Sequence, residues 1–252
     1  MINCKFLILL LLMCGCQYSS KTETSADEDN EWAELFNGSN TDHWRGFHMD
    51  DFPETGWDIE NGELRNDGSG AGGLITREQY ANFIMEWEWR LFDEGGNSGV
   101  KYFVKEQPDR EGKYAYGLEY QMLDDDGHTW MKEGKMKPND YHTAGALYEF
   151  FPPSAEKKLN APGQFNTSKL VVDGDHVEHW LNGIKVVDYE RGGENFQAMK
   201  AKSKFRDRPE FGLHKEGHIL LQDHSSRVGF RNIRIKILDA GRPGMKPVDT
   251  AS

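Results

Sequence analysis

Between residues 83 and 92 the chain alternates without a break. Phe83, Met85, Trp87, Trp89 and Leu91 fall on one side, and Ile84, Glu86, Glu88, Arg90 and Phe92 on the other. A period of two puts each set on one face of a strand, and the wholly apolar set marks a buried face. Trp87 and Trp89 are therefore expected in the core rather than as a sugar-stacking platform. Similar runs recur at 100–104, 117–123, 169–173, 177–181, 184–189, 219–223 and 228–238. Asp173-Gly174-Asp175 and Asn182-Gly183 join successive runs, and Asn-Gly is a strong hairpin signal because both residues must take positive φ. Residues 196–208 fit a short helix or a basic surface loop; no longer amphipathic helix is present. Short strands, Gly-rich turns and no βαβ rhythm predict an all-β antiparallel sandwich or jelly roll. Neither a repeat nor a linker divides residues 31–238, so one domain is expected there. A Gly/Pro-containing tail at 239–252 should trail off it.

The chain has 252 residues and a formal charge of −12, which argues against nucleic acid as a partner, since phosphate binding needs a basic patch. Its three cysteines, Cys4, Cys14 and Cys16, all lie in the first sixteen residues. Lys5 precedes an apolar run at 6–13 that is too short to span a bilayer, which reads as an export signal over residues 1–15. Leu12-Met13-Cys14-Gly15-Cys16 resembles a bacterial lipobox, with Cys16 as the lipidated residue. The expected location is the bacterial cell envelope, the only membrane contact being the lipid anchor. Residues 16–30 read as an acidic, disordered tether. With Cys4 and Cys14 removed and Cys16 modified, neither a disulfide, a cysteine nucleophile nor a cysteine-based metal site is available to the body.

Two constellations carry chemistry. In Gly117-Leu118-Glu119-Tyr120-Gln121-Met122-Leu123-Asp124, Glu119 and Gln121 share one strand face and Leu118, Tyr120 and Met122 take the other. Glu-x-Gln-x-x-Asp approaches the Glu-x-Asp-x-x-Glu spacing of laminarinase-type glycosidases, but lacks the middle acid that would tune a nucleophile. In Gly217-His218-Ile219-Leu220-Leu221-Gln222-Asp223-His224, residues His218, Gln222 and His224 share parity, and a histidine there suits proton transfer. His179 lies on the strand before Asn182-Gly183. Arg231 and Asn232 interrupt an apolar strand, which predicts a bulge or a cleft edge. Asp124-Asp125-Asp126-Gly127 reads as a solvated turn rather than a calcium loop, because the full ligand series is missing.

Taken in order, Leu35-Phe36-Asn37-Gly38, Asn97-Ser98-Gly99, Glu119-x-Gln121-x-x-Asp124, Thr143-x-Gly145-Ala146-Leu147-Tyr148, Gly163-x-Phe165-Asn166-Thr167, His179-Trp180-Leu181-Asn182-Gly183, Leu221-Gln222-Asp223-His224 and Phe230-Arg231-Asn232-Ile233 resemble the 3-keto-disaccharide hydrolase (3-keto-α-glucoside 1,2-lyase/3-keto-2-hydroxy-glucal hydratase) family. The resemblance implies a concanavalin A-like jelly roll and an enzyme acting on oxidised, 3-keto disaccharides or glycosides. Lys101 stands where the family often has arginine, and Phe165 where tryptophan is usual. A ketone at carbon 3 acidifies the proton on carbon 2, so a base, an enolate stabiliser and an acid for the leaving oxygen are required. Glu119 and His224, with Asp124, are the candidate catalytic residues, base and acid left unassigned. Asn97, Lys101, Gln121, His179, Gln222 and Arg231 are the candidates for substrate binding. No cofactor is certain; a divalent metal ion on Glu119 and His224 is an alternative enolate stabiliser. A non-catalytic glycan-binding lipoprotein and a two-carboxylate glycosidase on unoxidised glycans remain as alternatives.

Overall fold

The computed structural model describes residues 32–106 and 114–238; the expectations for the leader, Cys16, the tether and the tail lie outside them. In chain order the elements are β1 (Ala33–Phe36), β2 (Trp44–Gly46), β3 (Trp57–Glu60), β4 (Glu63–Asn66), β5 (Leu74–Thr76), β6 (Phe83–Leu91), β7 (Asn97–Val104), β8 (Leu118–Leu123), α1 (Thr129–Lys132), β9 (Asn166–Asp173), β10 (His176–Leu181), β11 (Ile184–Glu190), α2 (Glu194–Lys202), β12 (His218–Leu221) and β13 (Val228–Ile237). They form two antiparallel sheets. The larger runs β11-β10-β9-β6-β13-β4-β3, with β1 also on β13, and the smaller runs β2-β5-β12-β7-β8. The jelly-roll sandwich is the fold that the alternation predicts.

The core lies between the sheets. Phe83, Met85, Trp87, Trp89 and Leu91 are buried on one face of β6, as the period of two requires. Asn182 and Gly183 take φ of 47° and 81° in the β10–β11 hairpin, as Asn-Gly predicts. The bulge at Arg231-Asn232 is also present: pairing with β6 slips between Arg231 and Arg234, and Asn232 has φ 50°. Of residues 196–208, the first part is helical, within α2.

Two hydrogen-bond chains cross the otherwise apolar core. Trp89 Nε1 donates to Ser168 Oγ, which donates to Tyr120 Oη, which donates to the Trp180 carbonyl. In the other, Tyr102 Oη lies 2.9 Å from His179 Nε2 and 2.7 Å from Tyr189 Oη, while His179 Nδ1 lies 3.1 Å from the Gly145 carbonyl. A carbonyl only accepts, so Nδ1 carries the proton, Tyr102 donates to Nε2 and Tyr189 donates to Tyr102. Burial pushes the His179 imidazole from 6.5 down to about 4 and keeps it neutral.

This neutral histidine makes stability depend on pH. The unfolded chain takes up the proton near pH 6.5, whereas the folded chain resists it until about pH 4. Stability is therefore full above pH 6.5 and declines through that window, by on the order of 3 kcal/mol in total. Urea unfolding of wild type and His179→Gln should show a stability difference that shrinks from pH 7 to pH 4. A constant difference would contradict the account.

Candidate functional site

The outer face of the smaller sheet is closed at one end and polar at the other. On β5 and β12, Ile75 and Leu220 point away from the main core and join Val104, Phe47 and Ala115 in a satellite apolar cluster. Arg45 and Glu106 pair beside it, and Glu106 also accepts the His48 backbone N–H at 2.8 Å. His218 is drawn into this closed end, its Nδ1 donating to the Thr76 carbonyl at 2.8 Å, so it is not part of an open polar face.

At the β7–β8 end, Lys101 and Glu119 are cross-strand partners, with Nζ and Oε2 3.5 Å apart. The neighbouring pair is Gly99 and Gln121. A β-carbon on Gly99 would come within 2.8 Å of Glu119 Oε1, so the missing side chain is what makes room for the carboxylate. Gln121 points the same way but is only 3% exposed; its Nε2 donates to the His142 carbonyl at 3.2 Å. Its backbone bonds Ala146 and Gly145, and Glu119 O accepts from Tyr148 N at 3.0 Å. The 142–148 segment is thereby laid along the edge of β8, which brings His142 and Tyr148 to the Glu119 neighbourhood.

Around this floor the side chains form a connected wall. His142 Nδ1 lies 2.7 Å from Asp140 Oδ1, and its Nε2 lies 3.5 Å from Glu149 Oε1. Lys204 Nζ donates to Tyr148 Oη at 3.1 Å, which leaves the phenolic proton free to donate elsewhere. Burial raises the Tyr148 phenol above its usual value; the Glu119 and Glu149 charges add to this and Lys204 opposes it. The phenol stays protonated at neutral pH. His128 caps α1 by accepting from Trp130 N, and burial, reinforced by nearby His224, holds its imidazole below the ordinary value. His142 is a further charge neighbour of His128. His224 is exposed on the segment after β12. Gln222 anchors that segment by donating from its backbone to the Gly99 carbonyl at 2.9 Å. The side-chain oxygens of Asn97 and Gln222 are buried and make no hydrogen bond within the protein. Buried acceptors without a partner are costly, so both are suited to receiving a hydroxyl.

Four of the sequence-selected residues do other work. Asp124 Oδ2 accepts from Gly95 N at 2.8 Å, and its carbonyl accepts from His128 N at 3.0 Å. This carboxylate holds a turn instead of facing a substrate, and Asp124 and Asp125 are buried, not a solvated turn. Asp125 bonds Ala144 N at 2.8 Å and pairs with Lys157 at 2.6 Å. His179 is 0% exposed between the sheets and cannot reach a sugar. Gln121 positions the 142–148 segment. Arg231 lies on the outer face of the larger sheet, where it bonds Glu88 at 2.6 Å and stacks on Phe165. His128, His142, Tyr148 and Lys204 were not selected from the sequence, because no strand parity connects them to Glu119.

Among the described residues, no group of three ligating side chains includes Glu119 and His224; the cluster with three ligand atoms within 4.8 Å is His176, Glu178 and Asp188 on the larger sheet. Lys185 already supplies a cation there, 3.0 Å from Glu178 and 2.5 Å from Asp188. Glu119 has Lys101 as its cation.

A groove of about 590 Å³ lies on the larger sheet beside Glu86, Glu88, Trp180 and Arg234. Two of its carboxylates are already paired: Arg234 with Glu86 and the neighbouring Arg231 with Glu88, each at 2.6 Å. The carboxylate, phenol and imidazoles that could transfer a proton are gathered on the smaller sheet instead.

Two variants test this assignment. Gly99→Ala should displace the Glu119 carboxylate and lower turnover by about 10²-fold with little loss of thermal stability. Arg231→Ala should keep turnover within about threefold, and its stability loss should stay below about 1 kcal/mol, as for a largely solvent-screened ion pair. The reverse pattern would move the site to the other sheet.

Known proteins agree with the strand reading and the motif order. A Bacteroides thetaiotaomicron protein named 3-keto-disaccharide hydrolase is 32% identical over 231 residues, covering 81% of this chain and 78% of that protein. A crystal structure of a candidate glycosyl hydrolase from Parabacteroides distasonis is 33% identical, with a TM-score of 0.73 over 82% of this chain and 94% of that one. A second candidate glycosyl hydrolase structure from the same species is 26% identical, with a TM-score of 0.63 over 83% of this chain and 100% of that one. The family model for the 3-keto-α-glucoside-1,2-lyase-like domain matches residues 31–236, and the chain belongs to that family.

Proposed function

We propose that this hydrolase/lyase cleaves 3-keto-glucosides by elimination across carbons 2 and 1, followed by hydration. The observation that carries this reading is the grouping of the Glu119 carboxylate, the Lys101 ammonium and the protonated Tyr148 phenol on one sheet face. Glu119 takes the proton from carbon 2. The electron pair moves into a carbon 2–carbon 3 enolate, whose oxygen is stabilised by Lys101 and by the phenolic proton of Tyr148. Collapse of the enolate re-forms the ketone, creates the carbon 1–carbon 2 double bond and expels the aglycone oxygen from carbon 1. His224 protonates that oxygen as it leaves. Water then adds at carbon 1 and a proton returns to carbon 2, giving a net hydrolysis. Asn97 and Gln222 accept hydrogen bonds from the sugar hydroxyls.

The alternatives draw less support. A two-carboxylate glycosidase needs a second acid beside Glu119, but Gln121 stands at the middle position and Asp124 is engaged by Gly95. A purely recognising lipoprotein gives no reason for gathering a carboxylate, a phenol and imidazoles. The lipobox-like segment ending at Cys16 supports attachment at the cell envelope, with residues 31–238 acting as the catalytic body.

Incubation in heavy water with a 3-keto glucoside and with its unoxidised parent tests the chemistry. Cleavage of only the keto compound, with deuterium at carbon 2 of the product, is expected. Cleavage of the parent without exchange would overturn the proposal. His224→Ala should slow alkyl glycosides by at least about 10²-fold but nitrophenyl glycosides much less, since nitrophenolate leaves without a proton. Equal losses on both would remove His224 as the acid.

A further inference from the structure

Among the described residues, Trp130 is the one tryptophan left largely open to solvent, at 47% exposure. Its position is fixed rather than frayed. The His128 side chain accepts from Trp130 N, and Lys132 pairs with Glu94 at 2.7 Å, which ties α1 to the β6–β7 turn. Asp124 binds both Gly95 N and His128 N, locking that turn to the base of α1, and the neighbouring Met131 packs on the core. The indole stands nearly perpendicular to two imidazoles, with ring centroids 5.7 Å from His128 and 5.8 Å from His142. His142 in turn lies 5.2 Å from the Tyr148 ring. Leaving an indole in water forgoes apolar burial, and a clamped one can bind a ring with little further loss of conformational freedom.

We infer that Trp130 is the platform of an aglycone subsite that takes a leaving group with an apolar ring face, a second sugar or an aryl group. The inference rests on the elimination reading above. Glu119 and Tyr148 hold the keto unit over Gly99, while His224 and its neighbour His128 lie on the side where the oxygen of carbon 1 departs. A ring attached to that oxygen meets the indole next to His128. Aromatic faces attract such rings through dispersion and the polarised C–H bonds of the ring. A methyl aglycone is too small to reach it.

Steady-state kinetics of wild type, Trp130→Ala and Trp130→Phe on a 3-keto disaccharide, a 3-keto phenyl glucoside and methyl 3-keto-glucoside test the inference. Trp130→Ala should lower the preference for either ring-bearing substrate over the methyl compound by about tenfold or more, through KM rather than kcat. Trp130→Phe should recover most of that preference. Losses of equal size on all three substrates, or no change in the preference, would overturn the subsite while leaving the elimination intact. Failure of the wild type on all three keto compounds would overturn the elimination itself, and the subsite with it.

Discussion

The neutral imidazole of His179 is the interaction that ties the two sheets of the sandwich to the proposed working face. It receives a hydrogen bond from Tyr102 on the smaller sheet, which is itself bonded by Tyr189 on the larger one, and it donates to Gly145. Gly145 belongs to the segment that pairs with β8 and carries His142 and Tyr148. One buried side chain therefore links the two sheets to the segment that carries His142 and Tyr148. Protonation would break this arrangement, because a charged imidazole inside an apolar core has no counter-charge to meet. The residue acts from beneath the site, without contact to what binds there.

The two ends of the smaller sheet divide the remaining work. Beside β2 and β5, apolar side chains and the Arg45–Glu106 pair close the surface. Beside β8 the face stays polar because Gly99 supplies no side chain, Lys101 supplies one cation, and the 142–148 segment adds a rim. The larger sheet has a groove too, but Glu86 and Glu88 there are each held by an arginine, with Nε and a terminal nitrogen of Arg234 and of Arg231 on a single carboxylate oxygen. Volume alone is a poor guide to reactivity when carboxylates lining a groove are already paired.

Much of the fold was legible because the long strands alternate cleanly. Residues 83–91 show their buried face directly, and Asn182-Gly183 marks its own hairpin. The short strands β1 to β5 were not legible, since three or four residues carry too little periodicity. At the site, the shared face of Glu119 and Gln121 was readable, but the role of Gln121 was not, because its partner His142 is 21 residues away. The burial of His179 could have been read from its parity with Val177 and Leu181, both apolar. The bulge at Arg231-Asn232 was visible, whereas the sheet it belongs to depends on long-range strand order. His128 and His142 lie outside every strand; the signal for His128 was its place directly before a short helical turn, as a cap.

The central claim is that substrate is held on the smaller sheet, over Gly99, with Glu119 facing carbon 2. A crystal structure of Glu119→Gln soaked with a 3-keto glucoside tests it most directly. The account predicts the keto sugar lying across Gly99, with Lys101 and Tyr148 at the carbon 3 oxygen and His224 at the glycosidic oxygen. A sugar bound instead in the groove beside Trp180 and Arg234 would contradict it.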